Sequence, residues 1–288
     1  SFNPLIAHLP DLDAALTQGR FNAVALELAR AFWPGALTLV VPLAARASVC
    51  DLARAGLDSV ALRVPAHPLA HGLLGKTGVP IAAPSANISG HVSPTEASHV
   101  MADLDRHIDA VVDGGPTEIG LESTIIACFS AKPVLLRAGG IPREAIELVV
   151  GKFGGMGKGS RTASRGDRRG SRPSIVPDDP RPLSPGLLVS HYAPRAQVRL
   201  EAFDIEPHDA ALLFGKFRPK GLENAAAVLN LSETGDLEEA AANLFGHLRK
   251  LDAMLAGRRS ARIAVSPVPE VQLGEAINDR LRRAAARS

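Results

Sequence analysis

Short apolar runs alternate with segments of helical spacing along most of this chain, and that alternation constrains the fold more than any other feature. Strands are expected over residues 4–9, 37–42, 60–64, 79–83, 110–113, 123–129 and 133–137. Several are apolar without interruption, the pattern of strands covered on both faces. Helices fit residues 24–32, 68–75, 95–104 and 143–150. Pro68 suits a first helical turn behind His67 as cap, Gly75 reads as a helix stop, and Ser93 with Glu96 reads as a capping box. A second alternation follows, with apolar runs at 210–214 and 225–231, a long helix at 237–255, a strand at 262–265 and a helix at 273–285. Two α/β units result, and there is no internal repeat.

What separates them is compositionally unlike either. Between residues 152 and 176 seven Lys or Arg face one Asp, within a chain whose net charge is only +2. Residues 151–172 are rich in Gly and Ser and almost without aliphatic side chains, so they cannot bury enough surface to offset the entropy of ordering. The expected division is therefore residues 1–150, a basic flexible linker at 151–195, and a smaller domain at 196–288. The linker also reads as a basic arm toward RNA or a phosphate-rich ligand. With 46% hydrophobic and 22% charged residues, collagen-like, coiled-coil and wholly disordered folds are excluded. No apolar run approaches the roughly 20 residues of a membrane span, and no signal-peptide pattern opens the chain. Two cysteines, Cys50 and Cys128, make neither a disulfide framework nor a metal site by themselves, which fits a reducing cytoplasm. Eleven aromatic residues are few for a protein that stacks bases on a platform.

Some motifs tempt and fail. Gly72, Gly75, Lys76 and Thr77 resemble a phosphate loop, but two residues separate the glycines where four are needed, and they end a helix, where the dipole repels phosphate. His67 and His71 share a helical spacing, yet no carboxylate follows to complete a metal set. No Gly-x-Ser-x-Gly elbow supports a serine hydrolase at Ser85 or Ser123.

Four polar clusters fall where strands should end, the place where α/β sheets gather ligands. Residues 79–90 deliver Ser85, Asn87 and Ser89 among small neighbours, which reads either as a ligand loop or as a turn satisfying its own backbone. Residues 120–124 carry Glu122, Ser123 and Thr124, residues 135–140 carry Arg137 before two glycines, and Ser59 with Arg63 forms the fourth cluster. Two arginines and several hydroxyls, with no His–carboxylate pair among them, point to anion binding rather than proton relay.

The runs Phe32-Trp-Pro-Gly-Ala-Leu-Thr, Gly56-Leu-Asp-Ser-Val-Ala-Leu-Arg, Ala83-Pro-Ser-Ala-Asn-Ile-Ser-Gly, Gly120-Leu-Glu-Ser-Thr and Leu136-Arg-Ala-Gly-Gly resemble the YrdC-like threonylcarbamoyl-AMP synthase family. Ser184-Pro-Gly with His191-Tyr192-Ala-Pro, and Gly274-Glu-Ala-Ile-Asn-Asp-Arg-Leu, are similar to its two-domain members. The resemblance implies a YrdC-like twisted mixed sheet with helices, linked to a smaller Rossmann-like α/β domain. It implies a nucleotidyltransferase that joins L-threonine, bicarbonate or CO2, and ATP, with Mg²⁺ on the phosphates. The products would be threonylcarbamoyl-AMP and pyrophosphate, the former passing to the tRNA threonylcarbamoyl-transfer machinery in the cytoplasm. Carried over by motif, His8, Arg63, Ala83 and Ser123 would hold threonine. Asn3, Ser59, Ser85, Ser93, Arg137, His191 and Tyr192 would hold ATP, the last two from a linker that folds across the cleft. Ser59 stands where the family has Thr, and Val189 where related linkers carry an aromatic residue. The family also has roughly fifty residues before the equivalent of Ser1, including a Lys-x-Arg phosphate pair. Were Ser1 the true start, poor solubility and little activity would be expected. The other readings are a double-stranded RNA or tRNA-binding module and an inactive truncated scaffold for tRNA-modifying partners.

Overall fold

Six strands pair into one mixed sheet in the order β4-β1-β3-β2-β5-β6. They are β1 (Ile6–His8), β2 (Leu37–Pro42), β3 (Ser59–Arg63), β4 (Ile81–Ala83), β5 (Thr124–Ala127) and β6 (Val134–Arg137). β1 runs parallel to β3 and β2 to β5, while β1–β4, β2–β3 and β5–β6 are antiparallel. The computed structural model describes residues 4–152, 192–258 and 260–286. Asn3, His191 and nearly all of the expected linker lie outside them. Packing divides the chain into two units built from separated stretches. The first takes described residues 4–84, 123–137 and 143–152, and the second takes 85–122, 138–142, 192–258 and 260–286.

In the first unit the apolar runs alternate over the pleat. Ile6, Val40, Ala61, Ile125 and Ala127 form one buried cluster, and the intervening Leu39, Val41 and Leu62 are fully buried on the other face. Helices α1 (Leu12–Gln18) and α2 (Ala23–Phe32) start at true caps, since Asp11 accepts from the Ala14 amide at 2.7 Å and Asn22 from the Ala25 amide at 2.8 Å. The Asn22 amide also donates to the carbonyls of Cys128 and Ser130, tying α2 to the end of β5. The short α3 (Asp51–Arg54), α4 (Pro68–Thr77) and α6 (Arg143–Val150) complete this unit, with α5 (Ala97–Leu104) belonging to the other.

The second unit centres on a wholly parallel sheet of order β7-β10-β8-β9. Its strands are β7 (Gln197–Arg199), β8 (Ala210–Leu213), β9 (Ala227–Asn230) and β10 (Arg262–Val265). Helix α7 (Leu237–Met254) opens on Asp236, whose carboxylate accepts from the Glu238 and Glu239 amides. With α8 (Leu273–Ala285) it encloses a core of Leu244, Phe245, Leu248, Leu251, Ile277 and Leu281 over Leu212 and Ile263. Val92 and Tyr192 are members of that core. The segment 85–122 is therefore part of the parallel-sheet unit. Arg249 of α7 donates to the Ser93 carbonyl and to Asp103 of α5, and the Ala193 amide donates to the Gly90 carbonyl at 2.9 Å.

Four local expectations are corrected. Residues 110–113 form no strand, and Val112 is 79% exposed, with no strand pairing its backbone among the described residues. Helix α4 runs past Gly75 to Thr77 and stops at Gly78, whose φ of 65° is the left-handed stop. His67 occupies the N-cap position of α4 without a side-chain cap bond. Helix α5 begins at Ala97 behind an uncapped Glu96, because the Ser93 hydroxyl is engaged elsewhere. Among the described residues no helix is long and apolar enough to cross a membrane.

Candidate active site

The pleat gathers chemistry at one end of the first unit's sheet. His8 is in register with Arg63, and Ile6 with Ala61 and Ala83. By period two His8, Arg63, Thr38 and Ser123 fall on the face of Ile6, Ala61, Val40 and Ile125. Ser123 precedes β5 and is 1% exposed. Its hydroxyl shares a 2.7 Å hydrogen bond with the buried Thr38 hydroxyl. Arg137, at the end of β6 and 5% exposed, donates to the Ser123 carbonyl from Nη2 at 2.9 Å and to the Ser123 hydroxyl at 3.2 Å. Arg63 donates through Nε to the carbonyl of Gly35, the end of the Trp33–Gly35 turn, at 3.0 Å.

Positive charge is concentrated here. Burial, and then the charge of Arg137, lower Arg63 to about 10. Burial, and then Arg63, lower His8 to about 4. His8 is therefore a neutral imidazole at pH 7. Its Nδ1 lies 3.3 Å from the Ile81 carbonyl, which can only accept. The proton then sits on Nδ1 and the Nε2 lone pair remains to accept. Two crowded guanidiniums, two hydroxyls and an imidazole acceptor suit a small anion that carries an amine.

Ala83 and Ser59 share this face but not this end. Ala83 pairs with Ile6, two residues along β4 from the position beside His8. Ser59 pairs with Pro42 at the opposite end of β3, about 13 Å along the strand from Arg63. Ser85, Ser93 and Tyr192 belong to the second unit. Ser85 is exposed in a turn where its carbonyl accepts from the Asn87 amide, and Asn87 donates to the carbonyls of Ile88 and His91. The buried Asn87 Oδ1 has no partner among the described residues. Ser93 donates to Glu122 at 2.7 Å. The Tyr192 ring, 1% exposed, stacks on Phe245 with centroids 5.3 Å apart. Sequence reasoning missed Thr38, hidden inside an apolar strand, and the partners of Glu122, which lie far away in the chain.

A family model described as "Telomere recombination" matches residues 1–139, and one described as "Threonylcarbamoyl-AMP synthase, C-terminal domain" matches residues 141–286. Over 298 residues the chain is 38% identical to the threonylcarbamoyl-AMP synthase of Bacillus subtilis, covering 99% of this chain and 80% of that protein. The chain belongs to the threonylcarbamoyl-AMP synthase family. The family's Pyrococcus abyssi member is 37% identical over 304 residues, covering 98% of this chain and 80% of that one. A crystal structure of P. abyssi Sua5 complexed with L-threonine matches with a TM-score of 0.78 at 34% identity, over 98% of this chain and 80% of that chain. Membership in the synthase family bears out the resemblance carried by the motifs, the α/β fold it implied and the synthase reading of the function.

Proposed function

We propose that the chain is a nucleotidyltransferase forming threonylcarbamoyl-AMP and pyrophosphate from L-threonine, CO2 or bicarbonate, and ATP, for the threonylcarbamoyl modification of tRNA. The observation that carries this reading is the half-buried Arg63 and the buried Arg137 beside Ser123. Each guanidinium offers a binding place for one of two anions, the threonine carboxylate and the nucleotide phosphate. The likeness to a structure complexed with L-threonine supports the same reading.

In this mechanism the chain positions reactants and stabilises charge. Threonine's amine reacts as the free base with CO2 to give a carbamate, whose oxygen attacks the α-phosphorus as pyrophosphate leaves. Neutral His8 accepts from the amine or hydroxyl of threonine without adding a second positive charge beside it. Arg63 and Ser123 hold the carboxylate end, and Arg137 faces the phosphate. Ala83, Ser59, Ser85 and Ser93, with Asn3, His191 and Tyr192, complete the assignment carried by motif. The division into a catalytic region 1–150, a linker 151–195 and a further α/β domain 196–288 belongs to the same proposal. Mg²⁺ enters only as part of the MgATP substrate. Among the described residues no three His, Cys, Asp or Glu form a metal cage, and no step here runs through the ion.

The test is pyrophosphate release from ATP by the purified chain. Release should require both threonine and bicarbonate, and omission of either should return it to background. Release indifferent to threonine would refute the synthase reading.

A further inference from the structure

One buried guanidinium in the second unit holds both feet of the strand pair that carries Ser123 and Arg137. Strands β5 and β6 form a hairpin, entered at Ser123 and left at Arg137. The residues immediately outside it are Glu122 and Ala138, both in the second unit. Arg280, on α8, is wholly buried. Its Nε donates to Glu122 Oε2 at 2.9 Å and its Nη2 to the Ala138 carbonyl at 2.9 Å. Its Nη1 donates to Asp279 at 2.6 Å, and its guanidinium carbon lies 5.3 Å from the centre of the Tyr192 ring. The other Glu122 oxygen accepts from Ser93, and the Glu122 carbonyl accepts from the Gly140 amide at 2.9 Å.

We propose that Arg280 is a positioning residue for the synthase site: by gripping Glu122 and Ala138 together, it sets the spacing and register in which the adjoining Ser123 and Arg137 meet the substrate. The inference rests on the placement of threonine and nucleotide at those two residues. Both Glu122 carboxylate oxygens already accept from side chains, so its role is to be held. Arginine suits the task because its planar fork directs donors to two acceptors at a fixed separation, whereas a lysine ammonium offers one mobile point. Packing alone does not require this. Replacing a buried pair of this kind by well-fitted apolar side chains is often neutral for stability, so the role inferred for it is geometric.

The experiment compares the wild-type chain with Arg280→Lys, Glu122→Gln, the double variant, and Leu244→Ala in the same core. Two readings are taken: steady-state pyrophosphate release with varied threonine, and hydrogen exchange of peptides spanning residues 123–137. Arg280→Lys and Glu122→Gln should each lower kcat/KM by ~10- to 100-fold, chiefly through KM for threonine, and should hasten exchange in the hairpin. The double variant should lose no more than the worse single one. Leu244→Ala should lower the melting temperature while leaving KM and the hairpin unchanged. Wild-type KM and unchanged hairpin exchange in both single variants would overturn the proposal, leaving Arg280 a structural residue. If Arg280→Lys fails to fold, Glu122→Gln decides by the same two readings. A wild-type chain without threonine-dependent release overturns the synthase reading instead, and hairpin exchange alone then upholds or overturns the grip of Arg280.

Discussion

A histidine enclosed beside an arginine has to give up its proton, and His8 does so by a margin that can be measured. Its pKa in the fold is near 4, against about 6.5 in an unfolded chain. As pH falls through that interval the unfolded chain binds the proton first, so stability present above pH 6.5 is progressively lost toward pH 4, by about 3 kcal/mol at most. Urea unfolding at pH 7 and pH 4.5 should show this loss in the wild type and a clearly smaller one in His8→Gln; equal losses would refute the burial argument. For the arginines beside it the expected consequence is on activity. Arg63→Ala or Arg137→Ala should cut kcat/KM by roughly 100- to 1,000-fold, and full activity in either would end the site assignment. Both arginines were legible as polar residues ending apolar runs. Thr38 was not, because a threonine within Leu-Thr-Leu-Val reads as a β-branched strand residue until its hydroxyl is seen on Ser123.

Elements became legible where a clear period met flanking breakers. β2, β10, α6 and α8 fall on the expected residues because each combines a clear period with flanking breakers. α1 was missed although Asp11 caps it, since seven residues give barely two turns of pattern. The three-residue β7 offers less still, being held as an edge by β10. The apolar run at 110–113 failed for the opposite reason: composition without a partner makes no strand. Gly120, which opens the 120–124 cluster, has a strict steric task in the structure. Its φ is +70°, and an added Cβ would lie 2.3 Å from the Ala241 carbonyl oxygen and 2.5 Å from the Ala242 Cα on α7. Backbone cannot yield as a side-chain tip can. Gly120→Ala should therefore cost roughly 3 kcal/mol or more, read as a lowered melting temperature. A loss under about 1 kcal/mol would show that the loop does not press on α7.

Across the whole molecule, order in sequence and order in space part company. The run from 85 to 122 follows β4 in the chain yet packs with the parallel sheet, α7 and α8. A fragment ending at residue 150 should therefore leave Val92, α5 and Glu122 without their partners. Its peptides across 92–121 should exchange hydrogen far faster than in the full chain and bind a hydrophobic dye; native protection in that fragment would refute the interleaving. The same layout has a bearing on how the protein is made. Glu122 and Arg280 are 158 residues apart. At ribosomal rates of about 5–20 residues per second, a nascent carboxylate emerges some 8–30 s before the guanidinium that secures it. Throughout that interval the hairpin of Ser123 and Arg137 has no clasp at its base, so a helix translated long after the hairpin is the one that secures it.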